Sequence, residues 1–169
     1  MDLNQFKSTV LPIKNKLYRF ALRMLGDPAE AEDVVQEVLI KVWNQRADLT
    51  EVNNIEAWCM RLTKNKAIDK LRLKHRNMQD LETVYDLQET SQSPYAKTAY
   101  SDTLKQIKQL MEELPEKQKQ VMHLRDIEGM PYQEISDSLE MSMSNVKVNL
   151  FRARQNIRAK LLKTESYGL

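Results

Sequence analysis

Apolar residues recur at helical spacing along most of this 169-residue chain, and the alternation typical of β-strands is almost absent. Asp27 and Pro28 form a strong helix start, because aspartate can cap the first free amide groups and proline fits the first helical position. In the helix that follows, to about Trp43, one apolar stripe collects Ala31, Val34, Val35, Val38, Leu39 and Val42. This pattern predicts an all-α fold.

Two polar stretches interrupt the helical pattern. Residues 45–54 are polar and aperiodic, which indicates a loop in which Asn54 caps a helix that runs to about Arg76. Residues 77–101 are acidic and carry many Ser and Gln side chains, so they offer little apolar area and favour a flexible linker. We therefore expect two small helical domains, residues 1–76 and 102–169, joined by this linker.

The sequence carries no recognisable catalytic or metal-binding motif. Cys59 has no partner for an internal disulfide, and His75 and His123 lack metal-ligand spacing. A Gly-rich phosphate loop and a nucleophile elbow are also missing, so we expect neither an enzyme nor a cofactor. Without an apolar run of about 20 residues or a visible signal peptide, the chain is expected to be soluble, without a membrane span, and cytoplasmic.

The net charge of +2 hides charged blocks of opposite sign. Residues 27–37 contain five acids and no base. Residues 61–76 contain seven bases and one acid, and residues 147–163 contain six bases and no acid. Two separate basic segments indicate a polyanion that is contacted in two places.

The C-terminal segment has the pattern of a helix-turn-helix. A short helix over Tyr132–Leu139 is followed by a turn and by a longer basic helix that Ser142 caps and that runs to about Lys163. In this motif the second helix enters the major groove of DNA. Its core-facing stripe is predicted to contain Val146, Leu150, Ala153, Ile157 and Leu161.

The opposite face of this long helix mixes basic residues with Val148 and Phe151. Arginine contacts to guanine edges and apolar contacts to thymine methyl groups would explain the mixture, so we favour DNA binding. The alternative is that Phe151 packs on the preceding helix and that the basic residues only keep the protein soluble.

Two further helix faces are candidate binding surfaces. Lys66, Lys70 and Lys74 form a stripe suited to phosphates, and Trp58 behind a polar loop suits unstacked single-stranded bases. Trp58 as an ordinary core residue is an equal alternative. The acidic helix carries a polar stripe with an exposed isoleucine, formed by Asp33, Gln36, Glu37 and Ile40. This stripe is a candidate protein interface, and the alternative is a solvated face.

Several motifs in series resemble one family. The segments Ala31–Trp43 and Asn54–Arg72 resemble the second conserved region of extracytoplasmic-function RNA polymerase sigma factors. Three further segments resemble the fourth conserved region of these proteins: Leu114–Met122, Tyr132–Ser136 and Asn145–Arg154. The motifs follow the family order and cover nearly the whole chain except the linker.

The resemblance implies a subunit that directs core RNA polymerase to promoters. It implies docking on the clamp helices of the largest polymerase subunit through Asp33, Gln36, Glu37 and Ile40, and contact with the flap of the second largest subunit. It implies capture of the −10 element by Asn53, Asn54, Trp58, Lys66, Lys70 and Lys74. It implies reading of the −35 element by Ser144, Asn145, Lys147, Val148, Phe151, Arg152, Arg154 and Arg158. An anti-sigma protein is a further implied partner.

Three positions depart from the family pattern. Glu140 stands where glycine is frequent, so the turn has to form without the easy access to positive φ that glycine gives. Val148 and Asn149 stand where many relatives have serine and arginine, so the promoter sequence cannot be transferred. The alternative function is a two-domain helix-turn-helix regulator that binds DNA without core polymerase.

Overall fold

A computed structural model describes residues 1–79 and 99–166, and every regular element in these ranges is helical. The prediction of an all-α fold with two helical parts is confirmed. Most of the predicted linker, residues 80–98, lies outside the described residues, so the proposed domain boundaries stay a prediction. The helices are α1 (Leu3–Thr9), α2 (Lys14–Leu25), α3 (Pro28–Asn44), α4 (Ile55–Gln79), α5 (Ala99–Glu112), α6 (Glu116–Met122), α7 (Tyr132–Leu139) and α8 (Met143–Ser166).

The N-terminal half is a bundle of α2, α3 and α4, with α1 at its edge. The Asp27 side chain accepts hydrogen bonds from the amides of Ala29 and Glu30, which confirms the predicted start of α3. Asn54 caps α4 by accepting from the Ala57 amide at 2.9 Å. The predicted apolar stripe of α3 is buried, with only Leu39 partly exposed. A short 3-10 turn, Asp48–Glu51, interrupts the predicted loop.

The C-terminal half contains the predicted helix-turn-helix in α7 and α8. Ser142 caps α8 by accepting from the Asn145 amide at 3.1 Å, and the predicted core stripe of α8 is buried except for the partly exposed Leu161. Between α6 and α7 the chain continues as one π-helical turn, His123–Ile127. Glu140 adopts φ 55° and ψ 46°, so the turn uses a positive φ at a residue that lacks the easy access of glycine to this conformation.

The two halves pack against each other, which no sequence pattern had indicated. Helix α4 of the N-terminal half lies against α7 of the C-terminal half. Buried side chains from both halves form one continuous hydrophobic cluster, which includes Phe20, Met60, Met111 and Ile135. The described residues therefore form a closed arrangement rather than two separate bodies.

Candidate nucleic-acid interface

The face of α8 opposite the core is open to solvent. Phe151 is 62% exposed and Val148 is 43% exposed, although both are apolar. Lys147 and Arg152 are exposed beside them. Because Phe151 is mostly exposed, the part of the alternative that packed it on the preceding helix is wrong. This basic and apolar patch, called the α8 face below, has the composition that contacts to base edges require.

Most other predicted residues of α8 extend the same exposed side. Ser144 and Asn145 lie exposed in the first turn, and Arg158 lies exposed two turns beyond Phe151. Arg154 is held differently, since its guanidinium makes two hydrogen bonds to Asp126 at 2.6 and 3.2 Å. These hydrogen bonds raise the pKa of Arg154. Its position is thereby fixed relative to the π-helical turn.

The residues predicted to meet the −10 element are split between the loop and α4. Asn53 is exposed and Asn54 is committed to capping α4. Trp58 is partly buried and packs against the hydrophobic cluster, so only part of its ring is available to a ligand. Lys74 is exposed near the C-terminal end of α4.

The acidic stripe of α3 lies directly beside the lysine stripe of α4. Glu37 Oε2 accepts from Lys66 Nζ at 2.7 Å, and Asp33 Oδ2 lies 3.6 Å from Lys70 Nζ. The two surfaces that the sequence had suggested as separate sites therefore adjoin and partly neutralise each other. Ile40, 60% exposed, and Gln36 complete the exposed acidic face.

Contacts between the two halves involve charged residues that no pattern had singled out. Lys64 binds Glu140, and Arg19 makes two hydrogen bonds of 2.7 Å to Glu128. Arg23 pairs with Glu112. The one available signal was Glu140, because an acid stood where the resemblance favoured glycine.

The buried titratable groups do not form a reactive centre. Burial raises the pKa of the Cys59 thiol to about 12, so it stays protonated, and burial lowers the pKa of His123 to about 4. Within residues 1–79 and 99–166, no three His, Cys, Asp or Glu side chains are grouped as a metal site would require.

None of the described helices is long and apolar enough to cross a membrane.

Comparison with known families matches both halves. Residues 10–77 match the family described as Sigma-70 region 2, and residues 104–157 match Sigma-70, region 4. The ECF RNA polymerase sigma factor SigE of Mycolicibacterium smegmatis is 30% identical over 155 residues, which are 90% of this chain and 60% of SigE. SigW of Bacillus subtilis is 28% identical, with 95% of this chain and 90% of SigW covered. The chain thus spans three fifths of SigE and most of SigW.

Solved structures support the same fold. The sigma factor RpoE of Bartonella quintana, crystallised with the anti-sigma factor NepR, superposes with a TM-score of 0.77 at 23% identity. The superposition covers 95% of this chain and 98% of RpoE. CnrH, solved with the cytosolic domain of CnrY, gives a TM-score of 0.68 at 21% identity, covering 95% of this chain and 89% of CnrH.

Proposed function

Because the chain belongs to the extracytoplasmic-function RNA polymerase sigma factors, we propose that it binds core RNA polymerase and directs it to specific promoters. The observation that carries the proposal is the exposed α8 face, where Phe151 and Val148 lie open to solvent among basic residues. Neighbouring exposed apolar side chains with a polar rim are typical of a surface that a ligand covers.

The α8 face is assigned to the −35 element. Residues near the N-terminal end of a recognition helix reach deepest into the major groove, which gives base contacts to Lys147, Val148, Phe151 and Arg152. Arg158 lies farther along the helix and is assigned to a phosphate.

The −10 element is assigned to the loop before α4 and to the lysine stripe of that helix. Asn53 is exposed in the loop, and the exposed part of Trp58 offers a stacking surface for a flipped or unpaired base. Lys66, Lys70 and Lys74 supply positive charge for the phosphates of that strand.

The exposed acidic face of α3 is assigned to the polymerase. This face combines charged and polar side chains with one exposed apolar side chain, which suits a docking surface for the clamp helices. Its residues are Asp33, Gln36, Glu37 and Ile40. The C-terminal half is assigned to the flap of the second largest subunit. The polymerase performs the chemistry, so this chain acts in the cytoplasm as a specificity subunit and not as an enzyme.

An anti-sigma protein is proposed as a further partner. RpoE of Bartonella quintana was crystallised with the anti-sigma factor NepR, which supports the assignment without identifying the partner of this chain.

A promoter-dependent transcription assay with purified chain and core polymerase tests the function. We expect transcripts only when both are present and only from templates that carry a matching promoter. The alternative function, a helix-turn-helix regulator, predicts a different result. In that case the chain would bind promoter DNA tightly by itself, would not bind core polymerase and would not support transcription.

A further inference from the structure

The loop between α3 and α4 is fastened where it leaves α3. The guanidinium carbon of Arg46 lies 4.3 Å from the centre of the Trp43 ring, and Arg46 Nη1 donates to the Trp43 carbonyl oxygen at 2.9 Å. The backbone amide of Arg46 donates to the same oxygen at 3.3 Å. Because the guanidinium lies over the ring and also bonds to the backbone, Arg46 is held against Trp43 by two kinds of contact.

Helix α1 supplies a third member of this contact. The rings of Phe6 and Trp43 are 5.3 Å apart and nearly perpendicular, at 79°, which is the favourable edge-to-face arrangement. The amino nitrogen of Met1 donates to the Arg46 carbonyl oxygen at 3.1 Å. Phe6, Trp43 and Arg46 are called the entry cluster below, because they hold the point at which the chain enters the loop.

Helix α1 itself adds little to the core. None of its seven residues is fully buried, whereas Val10, which follows it, is. Its start is well formed, since Asp2 and Gln5 make a complete capping box. Phe6 is partly buried against the hydrophobic cluster. The aromatic contact of this short helix therefore falls on the entrance of the loop.

The rest of the loop is held at its centre and at its exit. Leu49 is 4% exposed and belongs to the hydrophobic cluster, and its carbonyl oxygen accepts from the Val52 amide at 3.2 Å. Asn54 is held by the hydrogen bond with which it caps α4. The exposed Asn53 lies between these two points. The loop thus presents Asn53 on a backbone that is held at its entrance, centre and exit.

A loop held in this way suits the reading of single-stranded bases. An unpaired strand is flexible, so the groups that recognise its bases bind better when their positions are set before the strand arrives. A loop that had to be ordered during binding would lose affinity for the sequence that it fits. Contacts to phosphates carry no sequence information, so binding to other sequences would change little.

We propose that Arg46 is a positioning residue for recognition of the −10 element, and that the entry cluster sets the course of the loop and thereby the place of Asn53. Arg46 acts through the backbone of the loop and not through a contact with a base or a phosphate. The inference rests on the proposed function, since it uses the assignment of this loop to the −10 strand.

Binding of single-stranded DNA to the complex of the full chain with core polymerase tests this role. One labelled oligonucleotide carries the −10 sequence that the wild-type complex selects from a randomised library, and a second carries the same bases in scrambled order. Arg46→Met keeps a long side chain but removes the cation and the hydrogen-bond donors. We expect affinity for the selected sequence to fall about 3- to 10-fold, as for the ordering of one flexible side chain, and affinity for the scrambled sequence to change little.

Two further variants separate positioning from a direct phosphate contact. Arg46→Lys keeps the charge but loses the planar group that lies over Trp43, so positioning predicts the same loss as in Arg46→Met. Lysine would instead restore a phosphate contact. Phe6→Leu weakens the entry cluster from α1, outside the loop, and should lower affinity for the selected sequence in the same way, whereas Phe6→Tyr keeps the aromatic ring and should retain it. Lys7→Met is the control, because it removes an exposed charge beside Phe6.

Proteolysis of the free protein measures the hold on the loop without DNA or polymerase. Asp48 is exposed in the loop and every variant keeps it, so a protease that cleaves after acidic residues reports on opening of the loop there. Arg46→Met and Phe6→Leu should be cleaved after Asp48 about 3- to 10-fold faster than the wild type and Lys7→Met, in line with the strength of one ring contact. Helical circular dichroism and the pull-down of core polymerase should stay at wild-type values.

Equal losses of affinity for both oligonucleotides, full recovery in Arg46→Lys, or wild-type cleavage after Asp48 in Arg46→Met would each overturn the proposal. Loss of helical circular dichroism in the variants would also overturn it, because the entry cluster would then hold the domain and not the loop. A wild-type chain that does not bind core polymerase, or whose complex selects no −10 sequence, would count against the proposed function. Cleavage after Asp48 in the free protein would still decide whether the entry cluster holds the loop.

Discussion

We expect the folded protein to lose stability as the pH falls below neutrality, because His123 is buried in its uncharged form. Its side chain is 4% exposed, and its Nε2 lies 3.4 Å from Glu128 Oε1. The pKa of His123 is lowered to about 4, mainly by burial and in part by Arg23 and Arg19, while Glu128 opposes the shift. An unfolded histidine has a pKa of about 6.5. The stabilisation is therefore complete above pH 6.5 and is lost as the pH falls towards 4.

These two pKa values predict a loss of about 1 to 2 kcal/mol in the free energy of unfolding between pH 7.5 and pH 5.5. Urea unfolding followed by helical circular dichroism at the two pH values measures this loss. His123→Gln should abolish most of it, whereas His75→Gln, at an exposed histidine, should behave as wild type. Equal losses in wild type and His123→Gln would refute the argument, because the pH dependence would then come from other groups.

Two predictions concern the proposed surfaces. Phe151→Ala should cost about 1–3 kcal/mol of binding free energy at the −35 element and relax the preference at particular base pairs, while Arg158→Ala should weaken binding to all −35 sequences alike. Transcription from a library of randomised −35 elements measures this preference. If Phe151→Ala selects the same sequence as the wild type, α8 docks in another orientation. The double change Asp33→Lys with Glu37→Lys should weaken binding to core polymerase in a pull-down, because it reverses the charge of the α3 face. Lys66→Gln is the control, because it removes the ion pair with Glu37 but keeps the Glu37 carboxylate, and it should leave binding to core polymerase intact. An equal loss of binding in this control would show that the ion pair, and not the charge of the α3 face, causes the loss.

The features that the sequence predicted correctly are those whose causes are local. Asp27, Asn54 and Ser142 cap their helices because each side chain accepts from amides two or three residues away. The buried stripes of α3 and α8 follow from helical spacing alone. The exposure of Phe151 was also predictable, since its position on α8 is opposite the buried Leu150 stripe.

The contact between the halves was not predictable because its partners are far apart in sequence. Lys64 and Glu140 are separated by 76 positions and Arg19 and Glu128 by 109 positions. Charged residues at such separations leave no periodic trace, so Lys64, Arg19 and Glu128 looked like ordinary solvated side chains. Glu140 stood out only because glycine is frequent at its position. The pairing of Lys66 with Glu37 was missed for the same reason, although both residues had been noticed separately.

The energies at Glu140 show how little its ion pair adds to the contact between the two halves. A left-handed backbone conformation costs a residue with a Cβ atom about 1–2 kcal/mol, and a partly exposed ion pair returns about 0–1 kcal/mol. The Glu140 side chain is 52% exposed, so its pair with Lys64 belongs to the weak class. Because the strain lies within the turn and the ion pair is weak, the packing of the halves depends mainly on the buried contacts around Phe20 and His123. A partner would separate the halves only if it gained more free energy from the exposed faces than these contacts supply.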